Sequence, residues 1–232
     1  MDAIILAAGL GTRLRPHTLD TPKPLLPVAG RPILDWALGA LPRSVDRVLV
    51  VVNYLAEQIE AYLKTQKHVA SWEAVRQQEP RGTGDALRSC RGRLRVDGSF
   101  LVMNGDDLYG AADLEELAVA PAGLLVHPVD EPRRFGIAFL KADGTLEKLV
   151  EKPALDGTQL ANTGAYVFPA NVFEHELKES ARGEFEITDY VTALAKSGTV
   201  AAVQTNFWLP IGTVEAWQEA QQLDLDSKLT RA

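Results

Sequence analysis

Residues 6–23 combine glycines and cations in a spacing that suits the binding of an anion. Gly9 and Gly11 follow a short apolar run without a gap, and Arg13 and Lys23 come next. Glycines let the backbone turn tightly and approach a ligand, and exposed N–H groups in such a loop form an anion-binding concavity. Arg13 would add fixed positive charge and Lys23 mobile positive charge. The pattern predicts a phosphate-binding loop; for the glycines alone, a strand-ending turn with surface cations is the alternative.

This loop matches neither of two familiar nucleotide-binding motifs. No G-K-[ST] closes it, which excludes a Walker A motif. Leu14 stands where the dinucleotide-binding motif G-x-G-x-x-G has its last glycine.

Carboxylates occur directly after another apolar run, in MNGDDLYG at 103–110. Mg²⁺ prefers oxygen ligands and usually binds one or two carboxylates together with phosphates and water. Asp106 lies at the carboxyl end of the predicted strand, where a carboxylate of this kind could face a ligand. The alternative is a simple turn in which Asn104 and Gly105 bend the chain. We expect Asp107 to be a solvated turn carboxylate.

Strands and helices alternate through the first part of the chain. Apolar runs indicate buried strands at 3–7, 47–52, 99–103 and 122–127, and helices are predicted between them at 32–41, 54–66, 84–90 and 112–119. This alternation implies right-handed crossovers and a largely parallel sheet. Ligands of such sheets bind beyond the carboxyl ends of the strands, which is where residues 9–13 lie.

The pattern changes near residue 128. The predicted elements after it are two strands within 135–152 joined by a turn at 142–144, a strand at 162–168, helices at 169–179 and 186–196, a strand at 199–204 and a helix at 213–224. We find no internal repeat, low-complexity tract or linker. The expected fold class is therefore α/β, as a single Rossmann-like, doubly wound domain over 1–232 with a mostly parallel, mixed sheet.

The composition excludes several classes of protein. Lys and Arg number 24 and Asp and Glu 31, and the net charge of −7 disfavours a nucleic-acid coat but not a small anionic substrate bound by local cations. A single cysteine, Cys90, excludes internal disulfides and multi-cysteine zinc sites, and we expect it to be buried and inert. No stretch approaches the roughly 20 apolar residues that span a bilayer, and the N-terminus lacks a signal-peptide pattern. We expect a cytoplasmic protein that binds neither nucleic acid nor membrane.

The run LAAGLGTRLRPHTLDTPKPLLPVAGRPIL at 6–34 resembles the first motif of the sugar-1-phosphate nucleotidyltransferases, or NDP-sugar pyrophosphorylases, which carry G-x-G-T-R followed by P-K-P. The resemblance implies an enzyme that converts an NTP and a sugar 1-phosphate into an NDP-sugar and pyrophosphate, with Mg²⁺ as cofactor. It also implies nucleotide-binding roles for Leu6, Ala8, Gly9, Gly11 and Thr12, and catalytic roles for Arg13 and Lys23. Asn104-Gly105-Asp106 resembles the family's N-G-D motif, which implies that Asp106 is catalytic and a magnesium ligand.

QQEPRGTGDAL at 77–87 resembles the family's base-recognition segment, in which a Gln precedes a Gly by five residues. The resemblance implies nucleotide contacts from Gln77, Gly82 and Thr83. A side-chain amide offers both a donor and an acceptor, which suits the edge of a pyrimidine, and the segment favours UTP or dTTP. Taken alone, Gln77 would be interpreted as a surface strand residue.

Three short motifs in the second part of the chain resemble the family's sugar site: Phe135-Gly136, Glu151-Lys152-Pro153 and Asn162-Thr163-Gly164. They imply that the Gly136 N–H and Asn162 contact the sugar, that Glu151 accepts from sugar hydroxyls, and that Lys152 holds the sugar phosphate. Residues 1–127 would then form the nucleotide-binding half and 128–232 the half with a small sugar-binding β lobe.

Two further features complete the resemblance, which covers about 3–217. FEITDY at 185–190 resembles the opening of a family helix, where Thr188 or Glu186 would order the helix start. Larger relatives append a left-handed β-helix, and none would fit after Ala232, so we expect a minimal catalytic core.

The sequence departs from the family at Pro210. Family members usually carry Asp or Asn there, in runs like W-x-D-I-G-T, as a second Mg²⁺ ligand, whereas a proline side chain cannot coordinate. Three interpretations are open: Asp106 with phosphates and water suffices, Asp107 or Asn206 substitutes, or the chain binds without efficient turnover.

Two alternative functions therefore stay open. One is a non-catalytic, nucleotide-sugar-binding regulatory subunit. The other is a cytidylyltransferase acting on a non-sugar phosphate such as phosphocholine, which shares the first loop but not the E-K-P and N-T-G motifs. The particular sugar and the oligomeric state are not readable from the sequence.

Overall fold

A mixed β-sheet organises the fold of the computed structural model, in which residues 1–95, 98–180 and 182–229 are described. The strands in the described part are β1 (Asp2–Leu6), β2 (Pro27–Val28), β3 (Arg31–Pro32), β4 (Arg47–Val52), β5 (Ser71–Arg76), β6 (Ser99–Asn104), β7 (Asp107–Tyr109), β8 (Gly123–Val129), β9 (Gly136–Leu140), β10 (Leu146–Glu151), β11 (Gln159–Pro169), β12 (Ala201–Gln204) and β13 (Trp208–Pro210). The α-helices there are α1 (Ile33–Gly39), α2 (Ala56–Leu63), α3 (Thr83–Arg88), α4 (Ala111–Ala118), α5 (Ile187–Ser197), α6 (Val214–Ala220) and α7 (Asp226–Leu229).

The main sheet has nine strands, seven of them in the order β10-β9-β11-β6-β1-β4-β5, with β8 paired to β11 and β12 paired to β8. The neighbours β6, β1, β4 and β5 run parallel, so their carboxyl ends lie at one edge. Strand β11 runs antiparallel to β6, β8 and β9, and joins the parallel region to the β9–β10 hairpin.

Alternating side chains of the parallel strands fill two cores, one on each face of the sheet. Ile5 packs in one core with α1, α2 and α4, and Ile4 packs in the other with α3 and α5. Because successive residues of a strand point to opposite faces, a strand buried on both faces is apolar throughout, as in VLVVV at 48–52. Helices on both faces confirm the doubly wound α/β fold that the alternation predicts.

The apolar strands and most of the helices were predicted within four residues of their ends. The predicted helix at 169–179 is wrong: only a short 3-10 helix forms at Ala170–Glu174, and the backbone of His175 is extended. Val172 is fully buried and Phe173 stacks on Phe100, with ring centroids 5.8 Å apart. Residues 170–174 thus bury their apolar side chains in a short turn, and the helix does not continue through 175–179.

Several short or half-exposed strands escaped prediction. Strand β5 lies at the edge of the sheet, so most of its side chains are only partly covered and no apolar run marks it. Strands β7 and β13 pair only with each other and have three residues each. Such segments are too short for a periodic signal.

Cys90 is completely buried, as expected. Burial raises the pKa of its thiol to about 12, so the reactive thiolate is scarce at neutral pH. We predict that a thiol reagent such as DTNB modifies native protein at least about 10²-fold more slowly than protein in denaturant. Equal rates in the two conditions would contradict this burial.

Among the described residues no helix is long and apolar enough to cross a membrane.

Candidate active site

The loop after β1 lies at the carboxyl edge of the parallel strands. Ala7 donates its N–H to the Val51 carbonyl at 2.8 Å, which continues the sheet for one residue. Beyond it, the Thr18 hydroxyl donates to the Gly11 carbonyl at 2.7 Å and folds the loop back on itself. Thr18 is fully buried, so this closure is shielded from water. The loop is therefore held at both ends, while Gly9 stays exposed.

Lys23 and Asp106, far apart in sequence, form an ion pair beside this loop. The Lys23 Nζ donates to Asp106 Oδ2 at 2.6 Å. The lysine side chain is 10% exposed and the aspartate side chain 41% exposed, so the carboxylate is the group that faces solvent. An ammonium has three N–H donors, and the contact with Asp106 uses one of them, so Lys23 could also donate to a bound anion.

Asp106 follows a turn that is tied to the first strand. The Gly105 N–H donates to the Leu6 carbonyl at 2.9 Å, and Leu6 pairs with Asn104 in the parallel β1–β6 register. The residues that precede the phosphate loop and the residues that carry the carboxylate are thus direct neighbours.

Asp107 is buried rather than solvated, which corrects the expectation from the sequence. It begins β7, whose pairing with β13 turns the side chain away from solvent. Burial and the negative charge of Asp106 raise the pKa of Asp107 above its ordinary value, and the Lys23 ammonium acts in the opposite direction. Its nearest hydrogen-bond donors, the Asn104 amide and the Tyr109 hydroxyl, are both 3.4 Å from Oδ2.

Pro210 lies directly opposite Asp107 in the antiparallel β7–β13 pair. The position where the family resemblance implies a second carboxylate or amide therefore faces a buried carboxylate from the neighbouring strand. Asn206 is committed elsewhere, because its Nδ2 and its backbone N–H both donate to Asp113, at 2.8 and 3.0 Å. Of the two substitutes considered, Asp107 is the one beside Asp106.

The side chains here suit one hard cation that would be held mainly by the phosphates of bound substrates. Asp106 offers a solvent-facing carboxylate, and carboxylate oxygen is the ligand type that Mg²⁺ prefers. In the described part of the chain no group of three or more His, Cys, Asp or Glu side chains could hold a metal ion. The Asp106 carboxylate is therefore suited to hold a magnesium ion, which would take its other ligands from phosphates and water.

The segment predicted to recognise a base is anchored on both sides. Gln77 follows β5, and its side chain is buried rather than on the surface. Its Nε2 donates to the Gly82 carbonyl at 3.2 Å and to Asp85 Oδ2 at 3.0 Å. Asp85 in turn accepts from Arg88 at 2.7 Å. Asp85 and Arg88 were missed in the sequence, where only an acid and a base three residues apart on a helix could have signalled them.

Residues 81–84 form a short ladder with 185–187. The Phe185 N–H donates to the Arg81 carbonyl at 2.8 Å, and the Gly84 N–H donates to the Phe185 carbonyl at 2.8 Å. Gly82 has φ +96°, and a Cβ there would clash with the Phe185 carbonyl, so a glycine is required. We call this contact the 81–84/185–187 join.

The start of α5 corrects another expectation. Neither Thr188 nor Glu186 caps it with a side chain. Instead the Thr83 hydroxyl accepts the Ile187 N–H at 3.1 Å. Thr83, expected to touch the nucleotide, therefore also holds a helix from the second half of the chain, and α5 packs against β10.

The sugar motifs lie together at one end of the β9–β10 hairpin. Gly136 pairs with Glu151, and the Lys152 N–H donates to the Phe135 carbonyl at 2.9 Å. Lys152 has φ +43°, an uncommon conformation for a residue with a side chain. Glu151 and Lys152 are both exposed, with their charged atoms 3.5 Å apart.

Asn162 and Gly164 connect this hairpin to the carboxylate turn. Ala161 pairs with Ile137, which brings Asn162 level with Gly136. The Asn162 amide donates to the Tyr166 hydroxyl at 2.8 Å. Gly164 has φ +85°, and a Cβ there would clash with the Asn104 amide. The N-G-D and N-T-G motifs are therefore in contact.

Arg13 lies in a 3-10 turn, Thr12–Leu14, whose buried residue is Leu14. Thr12 and Arg13 are exposed, and Arg13 makes no ion pair with any residue that the structure describes. Its guanidinium is therefore available to a ligand at this end of the loop.

Three comparisons place this geometry among known proteins. The family model described as nucleotidyl transferase matches residues 2–227. The chain is 37% identical to the bifunctional protein GlmU of Methanocaldococcus jannaschii over 97% of the chain, and spans 55% of that relative. It is 34% identical to the UTP–glucose-1-phosphate uridylyltransferase AglF of Haloferax volcanii, over 96% of each protein.

A solved structure has the same fold. It is a crystal structure of a Bacillus anthracis protein assigned as a glucose-1-phosphate thymidylyltransferase, in complex with sucrose. The TM-score is 0.85 at 30% identity, over 97% of this chain and 96% of that one. The chain thus spans about half the length of the bifunctional relative, and nearly the whole length of the uridylyltransferase relative and of the solved structure.

Proposed function

The chain belongs to the nucleotidyl transferase family, and from this premise we propose that it makes an NDP-sugar and pyrophosphate from UTP or dTTP and a sugar 1-phosphate. The similarity to a UTP–glucose-1-phosphate uridylyltransferase along almost the full length of both proteins supports this reaction class and makes glucose 1-phosphate the first sugar to test.

One observation carries the proposal. Motifs from four separate parts of the chain meet at one sheet edge through direct contacts. Leu6 contacts Gly105 and Lys23 contacts Asp106. Gly164 lies against Asn104, and this strand continues to the hairpin that carries the sugar motifs. A site that must hold two substrates in a reactive arrangement needs its binding motifs brought together in this way.

The reaction that fits is an in-line displacement at the α-phosphorus. A phosphate oxygen of the sugar phosphate forms the new bond to that phosphorus, and the bond to the oxygen bridging to the β-phosphorus breaks. Pyrophosphate leaves with the electron pair of the broken bond. Arg13 and the loop N–H groups after β1 hold the β- and γ-phosphates, and Lys23 stabilises the negative charge at the α-phosphate.

The sugar phosphate needs an anchor but no general base. A phosphate monoester is already largely ionised near pH 7, so no side chain has to remove a proton from the attacking oxygen. Lys152 holds that phosphate, while Gly136, Glu151 and Asn162 orient the sugar. Bringing the two anions together and shielding their repulsion supplies most of the rate enhancement.

Mg²⁺ held by Asp106 would supply further neutralisation of phosphate charge. Lys23 keeps the Asp106 carboxylate in place at 2.6 Å before substrates bind.

Pyrophosphate release is the direct test of the proposed function. Purified protein is incubated with Mg²⁺, each of UTP, dTTP, CTP and GTP, and glucose 1-phosphate, N-acetylglucosamine 1-phosphate or phosphocholine. We expect release with UTP or dTTP and a sugar phosphate. Release only with CTP and phosphocholine would instead identify the non-sugar cytidylyltransferase. Tight binding of an NDP-sugar without release in any combination would identify a regulatory subunit.

The role of Lys152 gives a selective prediction. Lys152→Ala should raise the KM for the sugar phosphate about 10- to 100-fold, as expected for the loss of a charge-assisted hydrogen bond worth roughly 1.5–3 kcal/mol. The KM for the nucleotide should change little. Lys148→Ala, which removes an exposed cation from β10, the strand that ends just before Lys152, is the matched control. Equal rises in both Michaelis constants would contradict the assigned role.

A further inference from the structure

The buried amide of Gln77 has a fixed orientation that the function described above does not use. Its nitrogen faces the Gly82 carbonyl and the Asp85 carboxylate. Both partners are oxygens that only accept hydrogen bonds, so the donor end of the amide must face them. The opposite orientation would set the Gln77 carbonyl oxygen against two other oxygens.

A second contact keeps Asp85 in place for this task. Arg88 donates to Asp85 Oδ1 at 2.7 Å, while Oδ2 accepts from Gln77. The Arg88 guanidinium also lies over the Phe185 ring, 4.8 Å from its centroid. The Asp85 side chain is only 18% exposed, which limits competition from water. Arg88, Asp85 and Gln77 therefore form a relay of hydrogen bonds that ends at the Gln77 amide.

The free end of that amide is an acceptor. In the described part of the chain, no group donates to Gln77 Oε1, and this oxygen is not among the buried polar atoms that lack a partner. The backbone around it is fixed as well, since the Gln77 N–H donates to the Val52 carbonyl at 2.9 Å and the Asn53 amide donates to the Gln77 carbonyl at 2.7 Å. Gln77 thus has one oriented acceptor oxygen that no described residue uses.

We propose that Asp85 is a positioning residue that, through Gln77, makes the site select uracil and thymine over cytosine. Uracil and thymine carry an N–H at ring position 3, which donates to Oε1. Cytosine carries a lone pair at that position, so two acceptors would face each other there. The inference rests on the proposed function, because it takes Gln77 to face the base.

The selectivity arises from orientation rather than from the presence of a glutamine. A free amide can present either its oxygen or its nitrogen, and would accept both kinds of pyrimidine. Cytosine could offer its amino group to Oε1 only by sliding across the site, which phosphates held at the first loop would oppose. The 5-methyl group that distinguishes thymine from uracil is not read by this contact, so UTP and dTTP should bind alike.

Substitution of Asp85 tests whether this residue sets the orientation of the Gln77 amide. In Asp85→Asn, Arg88 still requires an acceptor, so the new amide turns its oxygen to Arg88 and its nitrogen to Gln77. The new amide nitrogen then draws the Gln77 oxygen towards itself, against the Gly82 carbonyl, so a share of the molecules presents the Gln77 nitrogen to the base. Asp85→Ala leaves the Gly82 carbonyl as an acceptor that still favours the original orientation. Asp85→Asn should therefore lower the preference for UTP and dTTP over CTP more than Asp85→Ala does.

Equilibrium binding is the readout, since it does not depend on turnover. Dissociation constants for UTP, dTTP and CTP are measured by titration calorimetry without sugar phosphate. We expect the unmodified protein to bind UTP and dTTP at least about tenfold more tightly than CTP, the ratio expected for one hydrogen bond gained and one repulsion avoided. Asp85→Asn should lower that ratio by about tenfold or more, and Asp85→Ala by less.

Two further variants separate this role from a structural one. Glu57→Ala removes a carboxylate from the first turn of α2 that likewise pairs with an arginine, Arg76, and should leave the ratio unchanged. Arg88→Ala keeps the Asp85 carboxylate but removes the arginine that holds it, so it should also lower the preference for UTP over CTP. This variant provides the test if Asp85→Asn does not fold. Equal weakening of UTP and CTP in the folded variants would overturn the inference, as would an unmodified protein with no preference.

The pyrophosphate assay distinguishes this failure from failure of the proposed function. Protein that binds UTP selectively through Asp85 but releases no pyrophosphate would refute the enzyme and support the positioning role. Protein that releases pyrophosphate from UTP and CTP alike would support the enzyme and refute the positioning role.

Discussion

Asp106→Asn is expected to lower the rate of pyrophosphate release about 10³-fold, the largest single effect predicted for this chain. The substitution keeps the shape of the side chain but removes the charge that Lys23 contacts at 2.6 Å and that would hold Mg²⁺. The rate is measured with saturating UTP and glucose 1-phosphate across a range of magnesium concentrations. More magnesium should not restore the rate, because the protein ligand itself is changed.

Asp143→Asn is the matched control for that change. It removes one carboxylate from the exposed turn between β9 and β10, where Asp143 accepts from its neighbour Thr145. Its rate should stay within about twofold of the unmodified protein. Thermal unfolding of both variants separates lost catalysis from lost folding. An Asp106→Asn protein that is folded and retains most of its activity would remove Asp106 from the site.

Arg13→Ala is expected to lower turnover about 10²-fold or more, the effect of losing one donor that stabilises developing charge. Arg13 is exposed and unpaired among the described residues, so its removal leaves no buried charge without a partner. Stability should therefore change little, and the loss should appear in turnover. The measurement is the steady-state rate at saturating concentrations of both substrates.

Arg15→Ala makes the comparison strict. Arg15 follows the same 3-10 turn, is also exposed and carries the same charge. If turnover depended only on the amount of positive charge near the loop, the loss of either arginine would lower it equally. We expect the loss to be confined to Arg13, and a similar loss in both would show that position within the loop does not matter.

The fold was predictable where burial leaves a periodic signal in the sequence. Strands β1, β4 and β6 are covered on both faces, so each contains an unbroken apolar run, at 3–6, 48–52 and 100–103. Strand β5 lies at the sheet edge and leaves no such run. The segment at 169–179 has apolar residues at helical spacing, yet Val172 and Phe173 are buried by tertiary packing in a single turn. Local pattern cannot report packing that is decided elsewhere in the chain.

The candidate site was predictable only as a set of motifs. Their types and order could be read, but the Lys23–Asp106 pair joins residues remote in sequence and depends on the sheet register. Asp107 was misread because its burial is produced by β13, a strand too short to detect. Asp85 was missed because a carboxylate in the first turn of a helix is ordinary on any surface. The residue roles stay predictions until the variants are measured.

The 81–84/185–187 join has a consequence for engineering. Residues 77–87, the segment proposed to recognise the base, lie in the first half of the chain, but Phe185 hydrogen-bonds to their backbone. Thr83 also accepts a hydrogen bond from the start of α5, the helix that packs against β10. A chimaera fused near residue 127 would pair the loop of one parent with the brace of another. Exchanging residues 128–232 between relatives would therefore disturb the proposed nucleotide pocket as well. Such an exchange should preserve the pocket only if both sides of the 81–84/185–187 join come from the same parent.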